Sequence, residues 1–250
     1  MKIGAQLYTV RDFCRTEDGI SETLKKIADI GYKTVQVSGT CPFDPAWLDE
    51  QLRRNGLKCV ITHTPAAALQ ETPVDVARAH SAFGCDYVGL GWFPFNQEVP
   101  GESLDDFIRI YTPVANTLHE NGKCFMFHNH DREFQQKDGK TILQHLVDAF
   151  PPEKLGFVLD SYWIQVGGGD TADWIERLSG RVPCIHLKDY AFGARMAVIG
   201  EGNLNFDRIF AAAEKCGTEY MLVEQDDCGG EDPFECLGRS YEYLKARGFE

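Results

Sequence analysis

The 250-residue chain has no apolar run of about 18 residues, the length that a membrane-spanning helix needs. Its first residues, MKIGAQLYTVRD, reach a charged residue too early for a secretory signal, so we expect none. Cations are scarce, since 25 Lys and Arg stand against 38 Asp and Glu and give a formal net charge of −13. No basic stripe offsets this charge locally. We therefore expect neither a membrane nor nucleic acid as a partner.

Paired cysteine motifs are also missing. The nine cysteines are scattered, and none forms a CxxC motif. Cys59, Cys124 and Cys184 lie inside or beside apolar segments, where a free thiol behaves as a small hydrophobic group. Because disulfides persist mainly in oxidising compartments, we expect reduced cysteines and a cytoplasmic location.

Short apolar segments alternate with longer amphipathic segments along the whole chain. The apolar segments predict eight strands, at 2–8, 33–38, 57–63, 86–92, 123–129, 155–160, 182–188 and 219–225. Eight strand-then-helix units with continuously apolar strands predict an α/β fold, specifically a (β/α)8 TIM barrel. No GxGxxG motif follows the first strand, which argues against a dinucleotide-binding sheet. No linker divides the chain, so we expect one barrel domain spanning 1–250.

Polar side chains are concentrated where the predicted strands end, which is where the active sites of such barrels lie. These residues are Gln6, Tyr8, His63, His128, His130, Glu133, Asp160, His186, Lys188 and Glu224. Each has an ordinary alternative explanation: Asp160 could cap the next helix, and Lys188 could pair with Asp189 at the surface. Their convergence favours a site, because several carboxylates buried together need a cation to neutralise them. A mixed oxygen and nitrogen set suits Mn²⁺, Co²⁺, Mg²⁺ or Zn²⁺.

Six segments in order along the chain resemble the xylose isomerase-like TIM-barrel superfamily, specifically its sugar phosphate isomerase/epimerase group. They are GAQLYTVRD at 4–12, FHNHDREF at 127–134, LDSYW at 159–163, HLKD at 186–189, GEGNLNF at 200–206 and VEQD at 223–226. The resemblance implies one divalent metal ion held by Glu133, Asp160, His186 and Glu224. Epimerases of this superfamily place the first of these ligands in strand five itself, where this chain has His128. His128 is therefore the alternative to Glu133.

The superfamily includes several reaction types, and our leading hypothesis for this chain is the isomerisation or epimerisation of a keto-sugar or related polyol. The metal ion would stabilise the enediolate that forms when a proton leaves the carbon next to a carbonyl. Glu133 or His128 on one side and Glu224 on the other would remove and return that proton. His63, His130 and Lys188 would orient hydroxyls or polarise the carbonyl. No organic cofactor is needed.

Four further residues are predicted to contact the substrate beside His130. Tyr8 and Trp163 follow strand ends, where a ring can stack on the apolar face of a sugar. Arg195 is the candidate to meet an anionic group, and Glu201 lies in the same loop. The resemblance also allows for a homo-oligomer, because related barrels often associate into dimers or tetramers.

Three other functions compete with this interpretation. A metal-dependent lyase or dehydratase acting on an inosose or 3-keto-sugar would use the same enolate chemistry. A DNA-repair nuclease on the same fold would need a basic face, which the acidic composition disfavours. A non-catalytic sugar-binding barrel would be expected to have lost metal ligands.

Overall fold

Eight parallel strands close into a barrel in the computed structural model, which describes residues 1–250. The strands are β1 (Lys2–Gln6), β2 (Thr34–Val37), β3 (Lys58–His63), β4 (Tyr87–Leu90), β5 (Cys124–His128), β6 (Leu155–Asp160), β7 (Cys184–Leu187) and β8 (Tyr220–Val223). Each strand pairs with its neighbours in chain order, and β1 closes the barrel against β8 with Ala5 opposite Val223. The predicted (β/α)8 barrel is confirmed, and all eight strands lie where the apolar segments place them.

Ten α-helices follow the strands around the outside. They are α1 (Glu17–Ile30), α2 (Pro45–Arg54), α3 (Ala66–Glu71), α4 (Pro73–Ala82), α5 (Leu104–Glu120), α6 (Ile142–Ala149), α7 (Ser161–Val166), α8 (Thr171–Arg177), α9 (Phe206–Lys215) and α10 (Pro233–Lys245). Their starts are set locally: Ser103 and Asp106, for example, form a capping box that satisfies the first amides of α5. No helix is both long enough and apolar enough to cross a membrane.

Irregular segments after the strands form the C-terminal rim. Two 3₁₀ turns, Leu7–Phe13 and Arg132–Phe134, follow β1 and β5. Two short antiparallel hairpins add Gln136–Lys137 with Lys140–Thr141 and Asp189–Ala191 with Arg195–Ala197. These segments were not predicted as elements, and they decide which of the rim residues face the barrel axis.

The barrel interior changes from apolar to polar along the strands. Its apolar layer is a buried cluster that contains Ile61, Met126, Val158, Cys184 and Leu222. Successive side chains of a strand point to opposite faces, so the next inward position lies two residues further on. Those positions are His63, His128, Asp160, His186 and Glu224. The alternation that fills the core therefore delivers imidazoles and carboxylates to one level of the barrel.

Candidate functional site

Four side chains from consecutive strands meet inside the barrel at its C-terminal end. His128, Asp160, His186 and Glu224 each offer one ligand atom, and these atoms all lie within 4.8 Å of one another. All four residues are buried, and the register holds Asp160 opposite His186 on neighbouring strands. A group of this composition and size could hold a metal ion.

A hydrogen bond across the barrel determines which nitrogen of His186 faces the cluster. The Nε2–H group of His186 donates to Oε1 of Gln36 on β2, at 2.7 Å. The other ring nitrogen, Nδ1, therefore faces the cluster. It lies 2.9 Å from Oε2 of Glu224, within ion-pairing distance. Gln36 thus presents His186 as a ligand.

His128 is oriented in the same manner by the backbone. Its Nδ1–H group donates to the carbonyl of Gly91 at 3.2 Å, which turns Nε2 toward Oδ2 of Asp160 at 3.4 Å. Gly91 also makes room for the neighbouring His63, because a Cβ atom there would lie 2.6 Å from Nδ1 of that ring. Both histidines therefore direct a ring nitrogen at the same space.

The two carboxylate oxygens of Asp160 have different roles, one in capping a helix and one in the cluster. Oδ1 accepts from the backbone N–H groups of Tyr162 at 2.9 Å and Trp163 at 3.0 Å, which caps the first turn of α7. Oδ2 faces the cluster, 3.4 Å from Nε2 of His128. The capping role and the ligand role considered for this residue are therefore compatible, one for each oxygen.

Lys188 lies beside the cluster as its only buried ammonium. Its side chain is 1% exposed, and Nζ lies 3.1 Å from Oδ2 of Asp160, 3.0 Å from Oε2 of Glu224 and 2.8 Å from Oδ2 of Asp226. Lys188 is therefore not part of a surface pair with Asp189, which is itself buried. Three carboxylates face one fixed positive charge, so the cluster needs further positive charge.

The pKa values of the cluster express the same need. Burial alone would lower the pKa of His186, but the Glu224 and Asp160 carboxylates raise it to about 9. Burial opposes the ionisation of Glu224, yet Lys188 and His186 hold the pKa of this carboxyl well below its usual range. Two imidazole nitrogens, two ionised carboxylates and a deficit of positive charge fit a divalent ion, for which nitrogen and oxygen donors are suitable ligands.

Glu133 does not belong to this group. It lies in the 3₁₀ turn Arg132–Phe134, fully buried, and its Oε2 accepts from the backbone N–H of His130 at 2.6 Å. Burial raises the pKa of Glu133 to about 7. The turn directs this carboxylate toward the backbone of its own loop, and His128 is the β5 residue that the structure brings to Asp160, His186 and Glu224.

A pocket of about 580 Å³ opens above the cluster. Its walls include His128, Lys188, Glu224 and Asp226 together with His63, His130, Trp163, Tyr8 and Arg11. Nε2 of His63, Nδ1 of His130 and Nε1 of Trp163 are buried without a hydrogen-bond partner. Burial lowers the pKa of His63 well below its usual value and that of His130 to about 3, so both rings are neutral. The pocket therefore offers unsatisfied polar atoms and an indole ring, which suits a ligand with hydroxyl groups.

The family model described as xylose isomerase-like TIM barrel matches residues 24–246. The chain belongs to this family. Among curated proteins, no sequence matches the chain.

Several solved structures share the fold of this xylose isomerase-like barrel. A sugar phosphate isomerase/epimerase from Parabacteroides distasonis ATCC 8503 superposes with a TM-score of 0.82 at 22% identity, covering 98% of this chain and 93% of the other. An L-ribulose 3-epimerase gives 0.76 at 15% identity, covering 98% and 94%. A D-allulose 3-epimerase from Methylomonas sp., in complex with D-allulose, gives 0.74 at 16% identity, covering 99% and 97%. At these identities the similarity establishes the fold alone.

The residues predicted to bind substrate separate into two groups in this family member. Tyr8, His130 and Trp163 line the pocket, whereas Arg195 and Glu201 do not. Arg195 is exposed on the hairpin after β7, and Glu201 forms an exposed ion pair with Arg239 at 2.9 Å. The hairpin and this ion pair therefore hold both side chains away from the cluster.

Three residues important to the site were not assigned a role from the sequence. Gln36 and Gly91 fix the tautomers of the two histidines, and Asp226 binds Lys188. A polar glutamine in the apolar strand segment KTVQVS was a usable signal for Gln36. Gly91 gave no such signal, because its carbonyl acts through the course of the backbone.

Proposed function

We propose that the protein is a metal-dependent isomerase or epimerase of a keto-sugar or related polyol, acting through an enediolate. The observation that supports this proposal is the convergence of two imidazole nitrogens and two carboxylates beneath a polar pocket that His128 and Glu224 line. Sugar epimerases with the same fold support this chemistry, and we assign their class of substrate to this chain.

His128, Asp160, His186 and Glu224 would hold the ion. A bound divalent cation supplies Lewis acidity that stabilises negative charge on neighbouring substrate oxygens. Two nitrogen donors favour Mn²⁺, Co²⁺ or Zn²⁺ over Mg²⁺, which prefers oxygen ligands and water. Lys188 holds the Asp160, Glu224 and Asp226 carboxylates at hydrogen-bonding distance and so keeps them in place for this task.

The pocket also supplies groups that can move a proton. Glu224 contributes a carboxylate, and His63 and His130 contribute neutral rings with an unpartnered nitrogen. One of these groups can take a proton from one face of the substrate carbon, and another can return it to the opposite face, which inverts the stereocentre. Return of the proton to the neighbouring carbon of the enediolate gives the isomer instead. Trp163 can stack against the apolar face of the sugar, because its ring lines the same pocket 5.2 Å from that of His130.

The first test is elemental analysis of protein purified without chelator, with the variant Glu224→Gln measured beside it. We expect about one equivalent of transition metal in the parent protein and its loss in the variant, because the variant removes an anionic ligand. Ketoses incubated in D₂O with the parent protein should gain deuterium on the carbon next to the carbonyl, followed by NMR. Exchange in the variant should fall by about 10²–10⁴-fold, the usual size of a lost acid–base group.

Glu214→Gln is the matched control, because Glu214 is exposed on α9. This variant should keep both metal and exchange. A parent protein that takes up no metal even after incubation with Mn²⁺, or a Glu224→Gln variant that keeps full exchange, would contradict the proposal.

A lyase is the second candidate, and the additional histidines favour it. Loss of a β-hydroxyl or glycosidic oxygen from an inosose or 3-keto-sugar needs an acid at the leaving group, and His63 and His130 both face the pocket. The same NMR experiment distinguishes the two reactions, since a lyase produces an unsaturated carbonyl product instead of a labelled epimer.

We further propose a cytoplasmic location. The proposal is supported by the nine cysteines, all of which are free thiols. Free thiols in this number are typical of reducing compartments.

A further inference from the structure

A second cavity adjoins the polar pocket on the side of β2, β3 and α3. Its volume is about 550 Å³, and 17 residues line it. Ser38, Gly39, His63 and Thr64 line both cavities, so the two are direct neighbours. We call this second cavity the apolar annex. Together with the pocket it is considerably larger than a single sugar-like ring requires, since cavities of about 300–1,000 Å³ hold drug-sized ligands.

The lining of the annex contrasts with that of the pocket. None of its residues is Asp, Glu, Lys or Arg, although the chain carries 63 charged residues, 25 basic and 38 acidic. Phe43, Phe83, Val76 and Ala68 supply apolar surface. His80 is the other imidazole besides His63, and burial lowers its pKa to about 4, which keeps the ring neutral. A charged ligand group would find no counter-charge in this space.

The polar side chains of the annex wall are largely satisfied by one another. Nδ1–H of His80 donates to the carbonyl of Val76 at 2.7 Å, so its Nε2 accepts from the hydroxyl of Thr62 at 2.8 Å. The Thr62 hydroxyl oxygen is in turn 2.9 Å from that of Thr64, and because it donates to His80 it accepts from Thr64. The hydroxyl hydrogens of Thr62 and Thr64 are therefore both used within the wall, and few donors remain for a ligand.

We infer that the substrate carries an aromatic substituent, which the apolar annex binds while the sugar-like part lies over the His128–Asp160–His186–Glu224 cluster. The inference rests on the proposed function, because it assigns the sugar-like part to that site. An aromatic ring fits better than an alkyl chain or a second sugar. Phe43 and Phe83 offer ring faces and edges, and Pro42, Pro45 and Pro65 offer flat, rigid surfaces that lose no rotamer entropy on contact.

The test is a comparison of two ligands that differ only in the substituent, methyl β-D-fructopyranoside and benzyl β-D-fructopyranoside. Binding to the protein, after incubation with Mn²⁺, is measured by isothermal titration calorimetry. We expect the benzyl compound to bind at least about tenfold more tightly, because a phenyl group leaves water for an apolar cavity. Equal affinities, or no detectable binding of the benzyl compound, would overturn the inference.

Two variants in the short helix α3 locate the effect. Ala68→Phe places a ring in the annex, whereas Ala67→Phe adds the same ring to an exposed neighbour that lines neither cavity. The benzyl preference should fall to about one in the first variant and persist in the second. A preference that survives Ala68→Phe would show that the ring binds elsewhere. If Ala68→Phe does not fold, Ala68→Leu tests the same position with a smaller side chain.

The same samples separate this inference from the proposed function. Protein that binds metal and exchanges protons in ketoses without any benzyl preference overturns the annex alone. Protein that prefers the benzyl compound but contains no metal and catalyses no exchange supports the annex and overturns the proposed reaction.

Discussion

The amide of Gln36 shows how one neutral side chain can prepare a metal ligand. By accepting from Nε2–H of His186, it turns Nδ1 toward the point where Glu224 and Asp160 also converge. A ring without this partner can place its hydrogen on either nitrogen and can rotate. For the proposed metal site, we therefore expect this hydrogen bond to contribute to metal affinity without any contact to the ion.

Gln36→Leu should accordingly lower the metal affinity by about 10–100-fold, the usual effect of removing such a partner. Competition with a chromogenic chelator measures this affinity directly. Gln51→Leu is the matched control, because Gln51 is also a buried glutamine with one hydrogen-bonded partner, Ser21, but lies on α2 away from the site. Unchanged affinity in Gln36→Leu would mean that the barrel walls alone orient His186.

The assignment of the β5 ligand shows what sequence can and cannot predict at the scale of a residue. Two-residue alternation along β5 sends Met126 and then His128 inward, so the position of His128 followed from the strand. The direction of Glu133 depends on a three-residue 3₁₀ turn beyond the strand end. Periodicity carries no information on such a turn, and the preference for Glu133 came from the family resemblance.

Asp189 organises an entire loop at the scale of the element. Its carboxylate accepts from the backbone N–H groups of Tyr190 at 2.8 Å, Gly200 and Gly202 at 2.9 Å, and Leu204 at 3.2 Å. The buried carboxylate of Asp189 thus holds the segment GEGNLNF, residues 200–206, in place. The segment is ordered by this anchor, whereas Glu201 within it faces solvent.

Asp189→Ala should destabilise the protein by about 1–3 kcal/mol, because it leaves buried amides without an acceptor. Hydrogen exchange should accelerate at Gly200, Gly202 and Leu204 well beyond the global effect. Asp232→Ala removes another capping aspartate, at the exposed start of α10, and should cost about 1 kcal/mol without changing exchange in the loop. Similar exchange in the two variants would show that Asp189 is not the anchor of the loop.

Elements with a clear hydrophobic pattern were predictable, and those without one were not. All eight strands are continuous apolar segments, so their number and order followed from the sequence. The hairpin Asp189–Ala191 with Arg195–Ala197 has only three residues in each strand. Its short polar sequence resembles a loop, and for this reason Arg195 was expected at the pocket that the hairpin directs it away from.

At the scale of the whole molecule, buried neutral histidines couple stability to pH. His80 is the best example outside the site, since burial lowers its pKa from an ordinary 6.5 to about 4. The unfolded chain then binds a proton between about pH 6.5 and 4 that the folded chain does not. The contribution of His80 to stability is therefore fully present above pH 6.5 and is lost as the pH falls through 4.

His80→Gln should remove this pH dependence, because glutamine can keep hydrogen bonds but does not titrate. The free energy of unfolding of the parent protein should fall by about 3 kcal/mol more than that of the variant between pH 6.5 and 4, at about 1.4 kcal/mol per unit of pKa difference. Urea titrations across this range measure the difference. His119→Gln, which replaces an exposed histidine, should leave the pH profile unchanged, and parallel profiles for all three proteins would refute the assignment.

The two oxygens of Asp160 restrict how this chain can vary. Asparagine could still cap α7 through its side-chain oxygen, but it would bring no negative charge to the cluster. Glutamate would bring the charge, but its longer side chain would not hold the first-turn amides at the same place. Substitution in either direction would remove a ligand of the proposed ion or loosen the helix that carries Trp163, so the proposed cation site and the position of the indole ring both depend on one side chain.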